Sequence, residues 1–370
     1  MNENRKYKIA FFAPTALPFD GDSINIRPLG GLESNITLLA KSLSENGHNV
    51  KVYTPCKNIK ESNNVNLQYK NLSSINELFE EKNLLDVLIV VKDLQSILVN
   101  IPCRARMFLT TDGFNEISTF GIGDKRYHDR IHVLLGGSKW HITSLCNTSG
   151  FPKARAVALG HGINLSDFEG TERRGRKRLI FTAAPFKGLE LTLKIINELR
   201  EQDREIEFHS FSAFNLYDTD TPFDSQIQEK YKKVNEELEK IPGVFIHGNI
   251  LQKELAREYM KSAVLLYPCT WGETGARTVI EAQAAGCPIV TSSLGALPEI
   301  VGNAGFIINE RVGSEEYFEK FKMATMELLT NDELWSKISL NGKMRAKNTF
   351  ASEMLVERFE KILERLNLPK

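Results

Sequence analysis

The sequence predicts an α/β protein built from two doubly wound units, and three observations carry that expectation. Short apolar runs alternate with helical patterns in both halves of the chain. The alternation breaks once, in the Gly-, Asp- and Arg-rich stretch GINLSDFEGTERRGRKR. At 370 residues the chain is also long for a single core. In the first half the apolar runs are KIAFFA, NVKVYT, DVLIVV, RMFLTT and HVLLGG; in the second they are RLIFTAA, IEFHSF, GVFIHG, AVLLYP and PIVTS. Strands separated by helices form parallel sheets covered on both faces. The break divides the chain into expected domains at 1–168 and 169–345, followed by a last segment at 346–370. That segment carries Met354, Leu355, Phe359, Ile362, Leu363 and Leu366 on one helical face. The face packs on something, and the sequence leaves open on which domain.

Composition excludes several classes. Lys+Arg and Asp+Glu stand at 47 each, which gives no global signature for nucleic acid or a membrane surface. Five cysteines form no CxxC pair, as expected of structural thiols in a reducing, cytoplasmic setting rather than a disulfide frame or zinc site. The opening MNENRKYKIAFFAP runs straight into a short apolar strand and reads as no signal peptide, and no apolar run reaches membrane-spanning length. The basic cluster Arg173, Arg174, Arg176, Lys177 and Arg178 reads as a solvated linker entering a strand, with peripheral contact to anionic lipid as the alternative.

Three motifs carry chemistry. The first is PLGGLESNITLLAKSLSENGHNVKVYTP, in which Gly30 and Gly31 open a helix marked by Leu32, Ile36, Leu39 and Leu43. Glycines at a helix start let a ligand approach the backbone, where free N–H groups and the helix dipole favour a phosphate. A plain flexible turn would look the same. The pattern is not GxGxxG and no acidic residue closes the second strand, which counts against a dinucleotide cofactor. The second motif, LIFTAAPFKGLELTLKIINEL, places Lys187 between a strand and an amphipathic helix. There a lysine neutralises a diphosphate or simply faces solvent. The third, YPCTWGETGARTVIEAQAAGCPIVTSSLGALP, carries two glutamates with seven residues between them. Glu273 lies in a Gly-rich turn after an apolar strand. Glu281 lies inside a helix running from Ala276 or Arg277 to Ala285, with Gly286 as its stop. Helical side chains lean toward the N-terminus, so Glu281 points back at the turn. A ligand with hydroxyl-rich rings on both sides of a diphosphate would meet a carboxylate at each end and bare N–H groups between them. Nucleotide-sugars have that shape. The alternative is an N-cap glutamate plus a solvent-facing helix glutamate, which the small apolar residues around Glu281 disfavour.

These stretches, together with ALGHGINLSDF and GVFIHGNILQKELAREYMKSAVLLYP, occur in order from about Lys8 to Gly305. In that combination the chain resembles the retaining glycosyltransferases of family 4. The glutamate pair followed by the EA-x-A-x-G-x-P-x-V pattern is the most specific part of the likeness. The resemblance implies the GT-B fold, two Rossmann-like domains facing across a cleft. The first domain would be the acceptor side, the second the nucleotide-sugar donor side, and the last helix would cross back to the first domain. It implies a hexose-type sugar moved from a nucleotide-diphospho-sugar to an acceptor hydroxyl, with no metal and no other cofactor. Glu281 would hold the ribose and Glu273 the transferred sugar. The backbone at Thr274, Gly275, Ala276 and Arg277 would contact sugar and phosphate, Lys187 with the Gly30–Gly31 backbone would stabilise the leaving diphosphate, and His247–Gly248 would flank the base.

Three departures bear on these roles. Where the family often has Gly-Phe-Gly after the first glutamate, this chain has Thr274-Gly275-Ala276. No arginine precedes Lys187 by a few residues, which leaves Arg27 or Arg277 as candidate helpers. Where a histidine commonly stands near the donor sugar, LTTDGFNE offers Asp112, an acceptor only when ionised. Asp218-Thr219-Asp220 has the form of a metal-binding DxD but sits in a polar insertion, and the histidines show no zinc-enzyme spacing. His161, in GHG, reads as a cleft donor or a turn residue. The competing readings are a non-catalytic nucleotide-sugar-binding protein and a nucleotide-sugar epimerase on the same fold. Nucleobase, sugar, acceptor, linkage and oligomeric state are set by loops that the motifs do not reach.

Overall fold

The structure is a computed structural model that describes residues 5–59, 64–80, 84–114, 116–214 and 225–369. The chain forms two compact units. The first comprises Met1–Ile24, Gly30–Ile163 and Ser352–Lys370; the second comprises Asn25–Leu29 and Asn164–Ala351.

The first unit is a seven-stranded parallel sheet in the order β3-β2-β1-β4-β5-β6-β7. Its strands are β1 (Lys8–Phe12), β2 (Asn49–Thr54), β3 (Leu67–Asn71), β4 (Leu85–Val91), β5 (Cys103–Leu109), β6 (Val133–Gly136) and β7 (Ala156–Ala158). The helices of this stretch are α1 (Ser23–Ile26), α2 (Gly31–Glu45), α3 (Lys125–His128) and α4 (Lys139–Ser149). β4 is buried along its whole length, which is why LDVLIVV reads as an unbroken apolar run rather than an alternation. Register is set on both sides of β1, where Ile9 pairs with Val50 of β2 and with Val87 of β4.

The second unit is a six-stranded parallel sheet in the order β10-β9-β8-β11-β12-β13. After β8 (Arg178–Phe181) come α5 (Leu189–Gln202), β9 (Glu207–Ser210), α6 (Ser225–Glu239), β10 (Val244–Ile246) and α7 (Gln252–Lys261). Then follow β11 (Val264–Tyr267), α8 (Arg277–Ala285), β12 (Ile289–Ser292), α9 (Leu297–Val301), β13 (Gly305–Ile308), α10 (Glu315–Thr330) and α11 (Asp332–Arg345). In each sheet the strand order reverses once, between β1 and β4 in the first and between β8 and β11 in the second. Chains that leave such neighbours depart in opposite directions and open a crevice beyond the carboxyl ends of the strands.

The last helix, α12 (Ser352–Leu366), belongs to the first unit and packs on α2. Its inner residues Leu355, Val356, Phe359, Ile362 and Leu363 are buried. Gly162 sits between the two helices, where a side chain would run into Leu355 and Leu38. Glu360 on the same helix meets the buried His48 ring at 3.3 Å. Replacing Phe359 by Ala should therefore cost about 3–5 kcal/mol of first-unit stability. Hydrogen exchange should speed up in α2 and α12 and stay unchanged in α8; equal acceleration in all three would show that α12 is not specific to the first unit.

Candidate functional site

The crevice of the second unit is spanned by an ion pair. Lys187 lies in the turn leaving β8 and Glu273 in the turn leaving β11, the two strands that flank the reversal. Lys187 Nζ donates to Glu273 Oε1 at 2.6 Å. The buried Tyr267 hydroxyl, at the end of β11, donates to the same oxygen. Burial pushes the Glu273 carboxyl up. The Lys187 charge, with hydrogen bonds from Lys187, Tyr267 and the Ala276 N–H, outweighs burial and holds it below the ordinary glutamate range.

Backbone constraints hold both turns. Gly188 takes φ 127°, and a side chain there would run into the Pro268 carbonyl. Gly295, in the turn leaving β12, takes φ 59° and lies directly against the Glu273 backbone. Next to it the Ala296 N–H donates to the Glu273 carbonyl at 2.7 Å. Only glycine meets both the space and the dihedral at these two positions.

Glu281 is the second carboxylate. It is buried on α8, and Arg277, one turn earlier, donates from Nε to its Oε1 at 2.7 Å. Gln252, at the start of α7, donates to the same oxygen. Burial is the largest influence on Glu281 and raises its pKa, with the Arg277 charge opposing. Of the two arginines considered as helpers of Lys187, Arg277 thus gives its Nε–H to Glu281. The helix bounds Arg277–Ala285 agree with the sequence, and Gly286 closes the helix in the left-handed region at φ 70°. Ala276 precedes it at φ 37°, a conformation that strains an L side chain, at the position where Gly-Phe-Gly sequences place their second glycine. Thr274 and the buried Gly275 lie in the same turn. Gly248, at φ 71°, follows β10 with open space around it, at the same edge of the sheet.

The first unit carries the remaining expected residues. Gly30 is the N-cap of α2 in an extended conformation, and Gly31 is the first helical residue. The Glu33 carboxylate folds back on this helix start: a side chain on Gly30 would meet its Oε2, and its Oε1 accepts from the Leu17 N–H at 3.0 Å. A side chain at position 30 would thus displace the Glu33 carboxylate. Asp112, just past β5, pairs with Lys92 Nζ at 2.6 Å and accepts from the Ser118 hydroxyl at 2.5 Å. His141 accepts from the Gly137 N–H on Nδ1, so its Nε2–H donates to the Asp112 carbonyl at 2.7 Å. Lys92 directly follows β4 at φ 51°, a left-handed lysine beside the first sheet's reversal point. His161 is buried in the loop after β7. His209 of β9 and His247 stack edge-to-edge with Nδ1 and Nε2 3.0 Å apart. The Asp218-Thr219-Asp220 stretch lies outside the described residues.

Sequence reasoning missed Tyr267, Gln252, Gly295 and Lys92. Tyr267 and Lys92 had a readable signal, a polar group ending an otherwise apolar strand run. Gly295 had a weaker one in SSLGAL, and Gln252 had none. Replacing Lys187 by Met leaves a buried, unpaired carboxylate and should cost about 2–4 kcal/mol near pH 7. In the wild type, the stability from Glu273 is full above the ordinary glutamate pKa and is lost as pH falls through its lowered folded value. In the variant burial is opposed only by the Tyr267 and Ala276 hydrogen bonds, so the folded pKa rises and the deficit shrinks as pH falls. Urea unfolding should show a smaller deficit at about pH 5 than at about pH 7; equal deficits would mean the pair does not set the ionisation of Glu273.

With this geometry in view, residues 176–330 match the family described as Glycosyl transferases group 1. Over 115 residues the chain is 30% identical to spore coat protein SA of Bacillus subtilis (strain 168), covering 30% of this chain and 29% of that protein. It thus matches less than a third of the length of that relative. Among solved structures, it is similar to a glycosyltransferase from Rickettsia africae ESF-5 at a TM-score of 0.70, 15% identity, 98% of this chain and 99% of that one. It is also similar to Anabaena HepE in complex with UDP and glucose at 0.69, 11% identity, 97% and 100%. At these identities the likeness speaks to the fold, two parallel-sheet Rossmann-like units of the GT-B type. Residues 176–330 are thus similar to the group 1 glycosyltransferases, and the fold of the whole chain is of the GT-B type.

Proposed function

We propose that the protein is a retaining glycosyltransferase that moves a hexose-type sugar from a nucleoside-diphospho-sugar to an acceptor hydroxyl without a metal ion. The observation that carries this reading is the Lys187–Glu273 pair at the second unit's strand-order reversal, beside the buried Glu281 of α8. Lys187 places a fixed ammonium where a departing diphosphate gathers negative charge, and preorganised charge of this kind acts most strongly as the bond breaks. Glu273, kept ionised by Lys187, accepts hydrogen bonds from hydroxyls of the transferred sugar, and Glu281 accepts those of the ribose. The α8 N-terminus, from Thr274 to Arg277, offers N–H groups to phosphate and sugar oxygens. Gly248 flanks the base. The acceptor attacks on the face from which the diphosphate leaves, and the leaving phosphate takes the proton. The HepE complexes with UDP and with UDP-glucose support a nucleotide-sugar donor. The acceptor is a glycan, a lipid-linked sugar or a small molecule, with at most peripheral membrane contact. Among the described residues no helix is long and apolar enough to cross a bilayer. Five free cysteines support a reducing, cytoplasmic location.

The test is a thermal-shift panel in EDTA with UDP, GDP, ADP, TDP and their common sugar conjugates, followed by turnover of the donor that binds. A ligand at a hundred times its Kd adds about 2.7 kcal/mol, a shift of a few degrees in a chain of this size. One base should stand out, the product should keep the donor's anomeric configuration, and Glu273→Gln should lower kcat at least about a hundredfold. A flat panel with and without manganese would refute the donor site. Binding without turnover would leave a nucleotide-sugar sensor, and an altered sugar released without acceptor would indicate an epimerase.

A further inference from the structure

Both members of the Lys187–Glu273 pair have an aromatic neighbour in sequence, and the two aromatics touch. Phe186 precedes Lys187, and Trp271 stands two residues before Glu273. Their rings meet edge to face, with centroids 5.7 Å apart. Phe186 stacks on Phe214 at 6.4 Å, and Phe214 packs on Tyr231 of α6 at 5.6 Å. The row thus begins in the interior at Tyr231, 8% exposed, and ends at Trp271, 45% exposed.

The exposed end is held in place. The Trp271 N–H donates to the sulfur of the buried Cys269 at 3.4 Å, and the Cys269 thiol donates back to the Trp271 carbonyl at 3.2 Å. The adjoining Thr270 hydroxyl donates to the Phe186 carbonyl at 3.1 Å, tying the two turns together. These bonds fix the backbone of the turn, the Phe186 ring braces the indole, and the indole is left half in water; aromatic side chains of this kind mark recognition surfaces. The chemistry beside it is selective. The ion pair serves the charged and hydroxylated parts of a ligand, and the aromatic row offers a flat apolar face alongside. A pyranose presents both surfaces: hydroxyls around its edge and a face of C–H groups, which are attracted to the negative face of an aromatic ring.

We propose that Trp271, braced by Phe186, is the stacking platform for the sugar ring of the donor, and so a specificity-determining residue for which sugar is carried. This rests on the donor-site reading of the Lys187–Glu273 pair and adds to it a contact made by the sugar and not by the nucleotide.

The experiment is calorimetric titration of wild type, Trp271→Phe and Trp271→Ala, each checked for an unchanged unfolding midpoint. The probes are UDP-glucose, UDP-N-acetylglucosamine, GDP-mannose, ADP-glucose and TDP-glucose, each beside its nucleoside diphosphate. For the conjugate that wild type binds best, Trp271→Ala should weaken binding about tenfold while the nucleoside diphosphate changes less than about twofold, and Trp271→Phe should restore most of the loss. Equal loss for both ligands, or none for either, would overturn the platform and leave the donor site standing. If wild type bound none of the probes, the donor-site reading itself would fail, and the platform with it.

Discussion

A carboxylate taken out of water must find a cation or give up its charge, and the carboxyl-terminal edge of the second sheet is arranged around that constraint at Glu273. Lys187 reaches it from the neighbouring turn, Tyr267 from below, and the Ala276 N–H from the helix that follows. Gly188 and Gly295 have no side chains because the backbones carrying Lys187 and Glu273 are packed directly against other backbone. The pair is therefore a joint between three turns as well as a charged surface. Its position follows from topology. β8 and β11 are neighbours whose chains depart in opposite directions, so their turns diverge and carry Lys187 and Glu273 to the carboxyl-terminal edge of the sheet.

The first unit repeats the device with other residues. Lys92 and Asp112 pair at the ends of β4 and β5, next to that sheet's own reversal, and Lys92 holds a left-handed backbone while doing so. Backbone strain of that kind costs about 1–3 kcal/mol and persists only where its surroundings enforce it. Here the surroundings include Asp112, whose own backbone is fixed by His141. The two sheets thus each present a lysine–carboxylate pair at the edge where open α/β sheets bind ligands.

Much of this was legible in the sequence. The strands that the apolar runs marked are present, because a strand buried on both faces has little choice but Val, Ile, Leu and Phe. The α8 bounds followed from Gly286, and the buried position of Glu281 from the small residues around it. Three strands were missed. LQYKN and AVA lie at the two edges of the first sheet and GFII at an edge of the second; polar residues interrupt LQYKN, and AVA and GFII are only three and four residues long. The site was legible as residue types but not as partners. No spacing rule announces that Lys187 and Glu273, 86 residues apart, share an oxygen, or that Gln252 reaches Glu281. Nor does the motif around Gly30 announce that the Glu33 carboxylate folds back against that glycine.

The return of α12 to the first unit has a consequence for biosynthesis. The second unit is nearly continuous in the chain from Asn164 to Ala351, so most of it can collapse as soon as that stretch leaves the ribosome. The first unit begins earlier and finishes later. The face of α2 that α12 covers has no permanent partner until the last stretch from Ser352 is made, nearly two hundred residues after the sheet's final strand. During that interval the half that was translated first is the half still exposing apolar surface. The order of synthesis and the order of completion are thus reversed, and a nascent chain of this protein would depend on chaperone cover at its beginning rather than at its end.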